Sequence, residues 1–185
     1  MESRHIILVG GSVRSGKSSF AVDLAQRIGQ RRAFVATATA SDDEMKARIE
    51  RHRLDRQGRF TTVEVPIDLA DGLASLHDLD VVVVDCLTIW LSNLLLQKRS
   101  IEAILERVDS VARQLEERRF HAILVTNEVG MSVHPPTALG RAFVEVCGWA
   151  HQRMARIADE VYLAVLGTIV RVRPAPEWAV ASDRR

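Results

Sequence analysis

The chain has 185 residues, and its 25 Lys and Arg against 24 Asp and Glu leave a formal net charge of +1. That length suits one α/β domain and is too short for two full-sized ones, while the balanced charge supplies no global attraction to nucleic acid or anionic membrane. Two cysteines, Cys86 and Cys147, stand in apolar surroundings without C-x-x-C or metal-ligand spacing, which predicts buried thiols in a reducing compartment. Met1 to His5 leads straight into an apolar run with no secretory signal, and the longest apolar stretches fall short of the roughly 20 residues that span a bilayer. The expectation is a cytoplasmic protein without a membrane span.

Ile6 to Val9 predicts a strand over 6–10 that runs into Gly11-Ser12-Val13-Arg14-Ser15-Gly16-Lys17-Ser18, a match to G-x-x-x-x-G-K-[ST]. In that pattern backbone N–H groups turn around phosphate oxygens, the lysine bridges the outer phosphates, and the hydroxyl ligates Mg²⁺. Ser18 to Ala25 reads as a helix whose N-terminus adds its dipole to the anion site. These eight residues therefore predict nucleoside triphosphate binding, with Lys17 on phosphate and Ser18 on the metal. The loop says what is bound and leaves kinase, switch, motor and transferase open.

Further strands are expected at 33–38, 61–65, 80–85, 121–126 and 160–166. A last one at 168–173 follows a turn at Gly167-Thr168 and is antiparallel to its neighbour. With helices between them this is an α/β, P-loop NTPase-like (RecA-like), mostly parallel sheet with helices on both faces. One domain spans 1–173, and 174–185, with Pro174, Pro176 and Trp178, reads as a tail.

Ser41-Asp42-Asp43-Glu44 has the form of a capping box and starts a helix to about Arg56, on which Met45, Ile49 and His52 share a face among arginines. His52 reads either as a histidine satisfied on a half-buried face or as a nucleophile for phosphorus. Val81 to Asp85 is an apolar strand ending in a carboxylate, which places Asp85 beside the metal at Ser18 or at the cap of the next helix. Glu64 closes another strand in the same manner. Leu87, Ile89, Trp90, Leu91, Leu94, Leu95 and Leu96 form more apolar surface than one stripe needs, which suits an interface or a fully buried helix. Ile101 to Leu115 has helical apolar spacing. Thr137 is the expected N-cap of a helix to Ala158, with Leu139, Phe143, Val146, Cys147, Ala150, Met154 and Ile157 as its buried stripe.

Taken in order, GSVRSGKS at 11–18, FVATATASDDEMKARIERHR at 34–53, TTVE at 61–64, VVVDCLTIWLSNLL at 82–95, LVTNEVGMSVHP at 124–135 and ADEVYLAVLG at 158–167 resemble one family. It is the bifunctional adenosylcobinamide kinase and adenosylcobinamide-phosphate guanylyltransferase family of cobalamin biosynthesis. The resemblance implies that His52 is the residue that becomes guanylylated, attacking the α-phosphorus of GTP before GMP passes to adenosylcobinamide phosphate. It also implies a kinase step with ATP or GTP on adenosylcobinamide, assisted by Lys17 and Mg²⁺. By the same carry-over Ala36, Thr37, Ala38, Arg53, Leu54, Asp55, Arg56, Glu64 and Asp85 contact or position the guanine nucleotide.

Asn127-Glu128-Val129-Gly130 serves the corrinoid or a neighbouring subunit, or is a strand-to-loop turn. The family implies a homotrimer. Departures from its pattern are Ser12, Gln57, Ser132, His134 and His151. The competing readings are a single-activity metabolite kinase without a covalent step and a GTP-dependent binding module. Against the latter, the N-K-x-D tetrad of switch GTPases is missing.

Overall fold

The computed structural model describes residues 4–39, 58–131 and 133–174. The expected helix at 41–56 with His52, together with Gln57, Ser132 and the tail with Trp178, lies outside the described residues. In chain order the elements are β1 (Ile6–Gly11), α1 (Lys17–Ile28), β2 (Arg32–Ala36), β3 (Thr61–Glu64), α2 (Leu69–Ala74), β4 (Val81–Asp85), α3 (Leu87–Leu96), α4 (Ile101–Glu116), β5 (His121–Val125), α5 (Ala138–Ile157), β6 (Glu160–Val165) and β7 (Thr168–Arg173).

The strands form one sheet in the order β3-β2-β4-β5-β1-β6-β7, parallel throughout except for the antiparallel β6–β7 pair. Strand side chains alternate between two apolar layers because the pleat has a period of two. Ile7, Val9, Phe34, Val81, Val83, Ile123 and Val125 pack with Ala21 and Ala25 of α1 on one face. Ile6, Leu8, Val35, Val82, Val84 and Leu124 pack on the other against α2, α3, α4 and α5. Burial on both faces explains why the central strands read as unbroken apolar runs.

The large apolar surface of α3 resolves as burial within the chain, since Leu87, Trp90, Leu91 and Leu94 are each at most 1% exposed. Trp90 Nε1 donates to the Ile67 carbonyl at 2.7 Å, so the indole is both packed and satisfied. Ile89 is half-buried against the opposite layer, and Leu96, at 67% exposure, faces solvent at the helix end. Thr137 caps α5 as expected, its hydroxyl accepting from Gly140 N. One member of the expected α5 stripe is corrected: Leu139 is 55% exposed, because the first turn of α5 runs beyond the apolar layer that covers Val146, Cys147, Ala150 and Met154. The β6–β7 turn is also one residue earlier than expected, at Leu166 and Gly167, whose φ of 52° and 79° are the left-handed values of a tight hairpin.

Both thiols are free and buried. Burial first, and the Asp85 carboxylate second, pushes Cys86 up to about 11. Burial likewise pushes Cys147 up to about 12. Because the thiolate is the reactive form, native protein at pH 8 is expected to resist an aromatic disulfide reagent and to release two equivalents only on unfolding. Fast labelling of the native chain at either cysteine would contradict this.

Candidate active site

β1 delivers the chain to the phosphate-binding loop at the C-terminal edge of the sheet. Gly11 is required by its surroundings: its φ is +152°, and a Cβ there would lie 2.6 Å from the Ala164 carbonyl oxygen and 2.8 Å from Ser15 Oγ. Past it, Arg14 and Gly16 adopt left-handed φ of 58° and 93°, and such reversals turn backbone N–H groups toward a common centre. Ser12, Val13, Arg14 and Gly16 are exposed on the loop, whereas Ser15 and Lys17 are buried and Ser18 half-buried. Lys17 Nζ donates to the Ser12 carbonyl at 2.9 Å, which keeps the ammonium over the loop. Ser15 Oγ is buried without a hydrogen-bond partner among the described residues. A buried donor left open beside a buried ammonium fits an anionic ligand, whose oxygens satisfy both groups.

The ends of three more strands line up along the same edge of the sheet, separated from β1 by β5. Glu64 is in register with Ala36, and Ala36 with Asp85, so β3, β2 and β4 finish in one row. Glu64 is exposed and Asp85 half-buried. The helix after β4 is capped by Cys86, whose Sγ accepts from Ile89 N at 3.4 Å, so capping is not the role of Asp85. Asp85 and Lys17 both act electrostatically on the Cys86 thiol, so the carboxylate and the ammonium share its neighbourhood. One hydroxyl and one carboxylate match the donor set for Mg²⁺ on a nucleotide, since that ion keeps several waters and takes substrate phosphates as further ligands.

The Thr37 side chain is engaged within the protein. It is fully buried, and its Oγ1 donates to the Cys86 carbonyl and accepts from Cys86 N, both at 2.8 Å. Asn93 Nδ2 adds bonds to the Thr37 carbonyl at 2.9 Å and the Pro66 carbonyl at 3.0 Å. The threonine is thus a post that holds the turn after Asp85, flanked by the half-buried Ala36 and Ala38. Thr37→Val strands the buried Cys86 N–H and removes one of two bonds to the Cys86 carbonyl, which also accepts from Trp90 N at 3.2 Å, so it is expected to lower stability by about 2 kcal/mol in a denaturant titration. A loss under about 0.5 kcal/mol would show that water or relaxation replaces the clamp.

The segment after β5, the strand between β4 and β1, meets the start of the loop. Glu128 N donates to the Gly11 carbonyl at 2.9 Å, and Thr126 N to the Val9 carbonyl at 3.0 Å. Glu128 Oε1 in turn accepts from Gly130 N at 2.6 Å, closing a tight turn. Of the residues expected at the site, the structure gathers Gly11 to Ser18, Ala36 to Ala38, Glu64 and Asp85 along this edge, while His52 and Arg53 to Arg56 lie outside the described residues. Two buried threonines, Thr88 and Thr126, were missed by sequence reasoning; a hydroxyl at the end of an otherwise apolar strand is the signal that could have found Thr126.

A phosphate-binding loop between β1 and α1, with a strand-end carboxylate beside it on a largely parallel sheet, makes this a P-loop nucleotide-binding protein. The crystal structure of the RadB recombinase shares the fold, covering 86% of this chain and 73% of that one at a TM-score of 0.50 and 17% identity. The model of the CobU family, cobinamide kinase / cobinamide phosphate guanyltransferase, matches residues 7–172, and the chain belongs to that family. Similar proteins include the bifunctional adenosylcobalamin biosynthesis protein CobP of Pseudomonas aeruginosa, 38% identical, with 91% of this chain and 98% of that protein covered. CobU of Escherichia coli, with the same description, is 34% identical over 91% of this chain and 99% of its own length. This chain is accordingly a transferase with the family's kinase and guanylyltransferase activities.

Proposed function

We propose that the chain phosphorylates adenosylcobinamide with ATP or GTP, then carries GMP from GTP on His52 to adenosylcobinamide phosphate, giving adenosylcobinamide-GDP. The observation that carries the reading is the phosphate-binding loop itself, with a buried ammonium at Lys17 and an open buried hydroxyl at Ser15. The family match over residues 7–172 supplies the substrate class.

In the kinase step the substrate hydroxyl oxygen attacks the γ-phosphorus, the bond to the β,γ-bridging oxygen breaks, and the nucleoside diphosphate leaves with the hydroxyl proton passing to solvent. Lys17 and the loop N–H groups hold the triphosphate and offset the charge that spreads over the transferring group. Ser18 and Asp85 are the residues that would hold Mg²⁺, which when bound neutralises phosphate charge. In the second reaction an imidazole nitrogen of His52 bonds to the α-phosphorus as the α,β-bridging bond breaks and pyrophosphate departs. A phosphate oxygen of adenosylcobinamide phosphate then displaces the histidine, forming the new pyrophosphate linkage and restoring the imidazole. Covalent relay divides one difficult displacement into two easier ones. Ala36, Ala38, Glu64 and Arg53 to Arg56 position the guanine nucleotide in this reading, with Thr37 acting through the turn it clamps.

Purified protein given adenosylcobinamide, GTP and Mg²⁺ is expected to release the phosphate first and adenosylcobinamide-GDP second. Accumulation of the phosphate alone would favour the single-activity kinase, and nucleotide binding without either product would favour a binding module. The reading extends to a cytoplasmic homotrimer, which the family resemblance supports. Light scattering should then give three times the chain mass of 20.6 kDa, and a mass of one chain would refute the assembly.

A further inference from the structure

The phosphate chemistry leaves unused a polar chain that crosses from α5 to the sheet edge. Thr126 and Thr88 are 2% and 3% exposed. Thr126 Oγ1 lies 2.6 Å from His151 Nε2 and 2.9 Å from Thr88 Oγ1, and Thr88 Oγ1 accepts from Asn127 N at 2.6 Å. These links join α5, the end of β5 and the first turn of α3. The same segment makes the two backbone bonds from Thr126 and Glu128 to Val9 and Gly11, so what holds residues 126–128 also holds the entrance of the phosphate-binding loop.

The chain has a direction. Each threonine hydroxyl carries one proton, and with Nε2 as acceptor Thr88 donates to Thr126 and Thr126 to His151, leaving Thr88 a lone pair for Asn127 N–H. If Nε2 carries a proton the order reverses, and the Thr88 proton is left to the Cys86 sulfur, a weak acceptor. Burial holds His151 below the ordinary histidine value of 6.5, which favours the neutral, accepting form. The Glu128 carboxylate in the loop after β5 acts in the opposite sense. Cys147, one turn back on α5, and Cys86, beyond Thr88, are neutral thiols at these pH values.

We propose that His151 is a positioning residue for the nucleotide site: its Nε2 sets the direction of the Thr126–Thr88 chain, which braces residues 126–128 against Gly11. The inference rests on the reading of that loop as the nucleotide site. The test is equilibrium binding of a non-hydrolysable GTP analogue with Mg²⁺ by the full chain between pH 5 and 8, with His151→Gln as an uncharged acceptor and His151→Leu as none. At pH 8 His151→Leu should bind about tenfold more weakly, as loss of one buried hydrogen bond implies, and His151→Gln within about twofold of the original chain. As pH falls through the His151 titration, which burial places below 6.5, the original chain should lose affinity relative to His151→Gln; the analogue's own titration and that of His52 are common to both and cancel in the ratio.

Wild-type affinity in His151→Leu, or a ratio to His151→Gln that stays flat across the His151 titration followed by NMR, would overturn the proposal. Should His151→Leu fail to fold, the glutamine ratio and the ring tautomer by nitrogen NMR still decide: Nδ1–H supports it and Nε2–H at pH 8 refutes it. An original chain that binds no analogue at pH 8 overturns the nucleotide-site reading, and this inference with it.

Discussion

Lys17→Ala is expected to reduce kinase turnover roughly a hundredfold, the loss of about 3 kcal/mol of charge stabilisation in the transition state. The ammonium is suited to that role because it is buried and already held over the loop by the Ser12 carbonyl at 2.9 Å, so little reorganisation is needed when a phosphate oxygen arrives. The measurement is initial-rate phosphorylation of adenosylcobinamide at saturating nucleotide, with thermal unfolding of the variant recorded in parallel. A folded Lys17→Ala that keeps turnover within about threefold would remove the lysine from the transition state and leave it a binding role at most. Lys17→Arg should recover charge but not rate, because the planar guanidinium does not fit a slot that holds a single compact ammonium.

His52→Ala is expected to separate the two reactions. With GTP labelled at the α-phosphorus, the original chain should retain a covalent label that is labile in acid and stable in base, the behaviour of a nitrogen–phosphorus bond. In His52→Ala that label should vanish and guanylyl transfer should fall by on the order of 10³ or more, as for loss of a covalent nucleophile. Phosphorylation of adenosylcobinamide should continue, since that attack comes from the substrate hydroxyl. A label of undiminished strength in His52→Ala would sink the covalent reading. Loss of both activities together would instead tie His52 to the nucleotide site as a whole.

These two residues show how differently parts of the site could be read from the chain. Lys17 belongs to a contiguous eight-residue pattern whose geometry is set by local backbone, so its place followed from spacing alone and the structure has it buried over the loop. His52 is singled out by the resemblance, since the residues around it alone favour a half-buried helical histidine. Asp85 reads as a cap or as a metal-side carboxylate, and the structure removes the cap, which is Cys86.

The sequence by itself determined the seven strands, the antiparallel edge and the phosphate-binding loop. Apolar runs buried on both faces and a fixed glycine–lysine spacing are properties of neighbouring residues. Only the tertiary structure decided the rest. Thr37 turned out to clamp Cys86, 49 positions away, and His151 to meet Thr126, 25 positions away. Leu139 carries the right periodicity yet faces solvent, because periodicity marks a face of a helix and not how far along it the sheet extends. Such contacts depend on which strand ends lie side by side, and that follows from the sheet order, in which β1 and β2 are separated by β4 and β5.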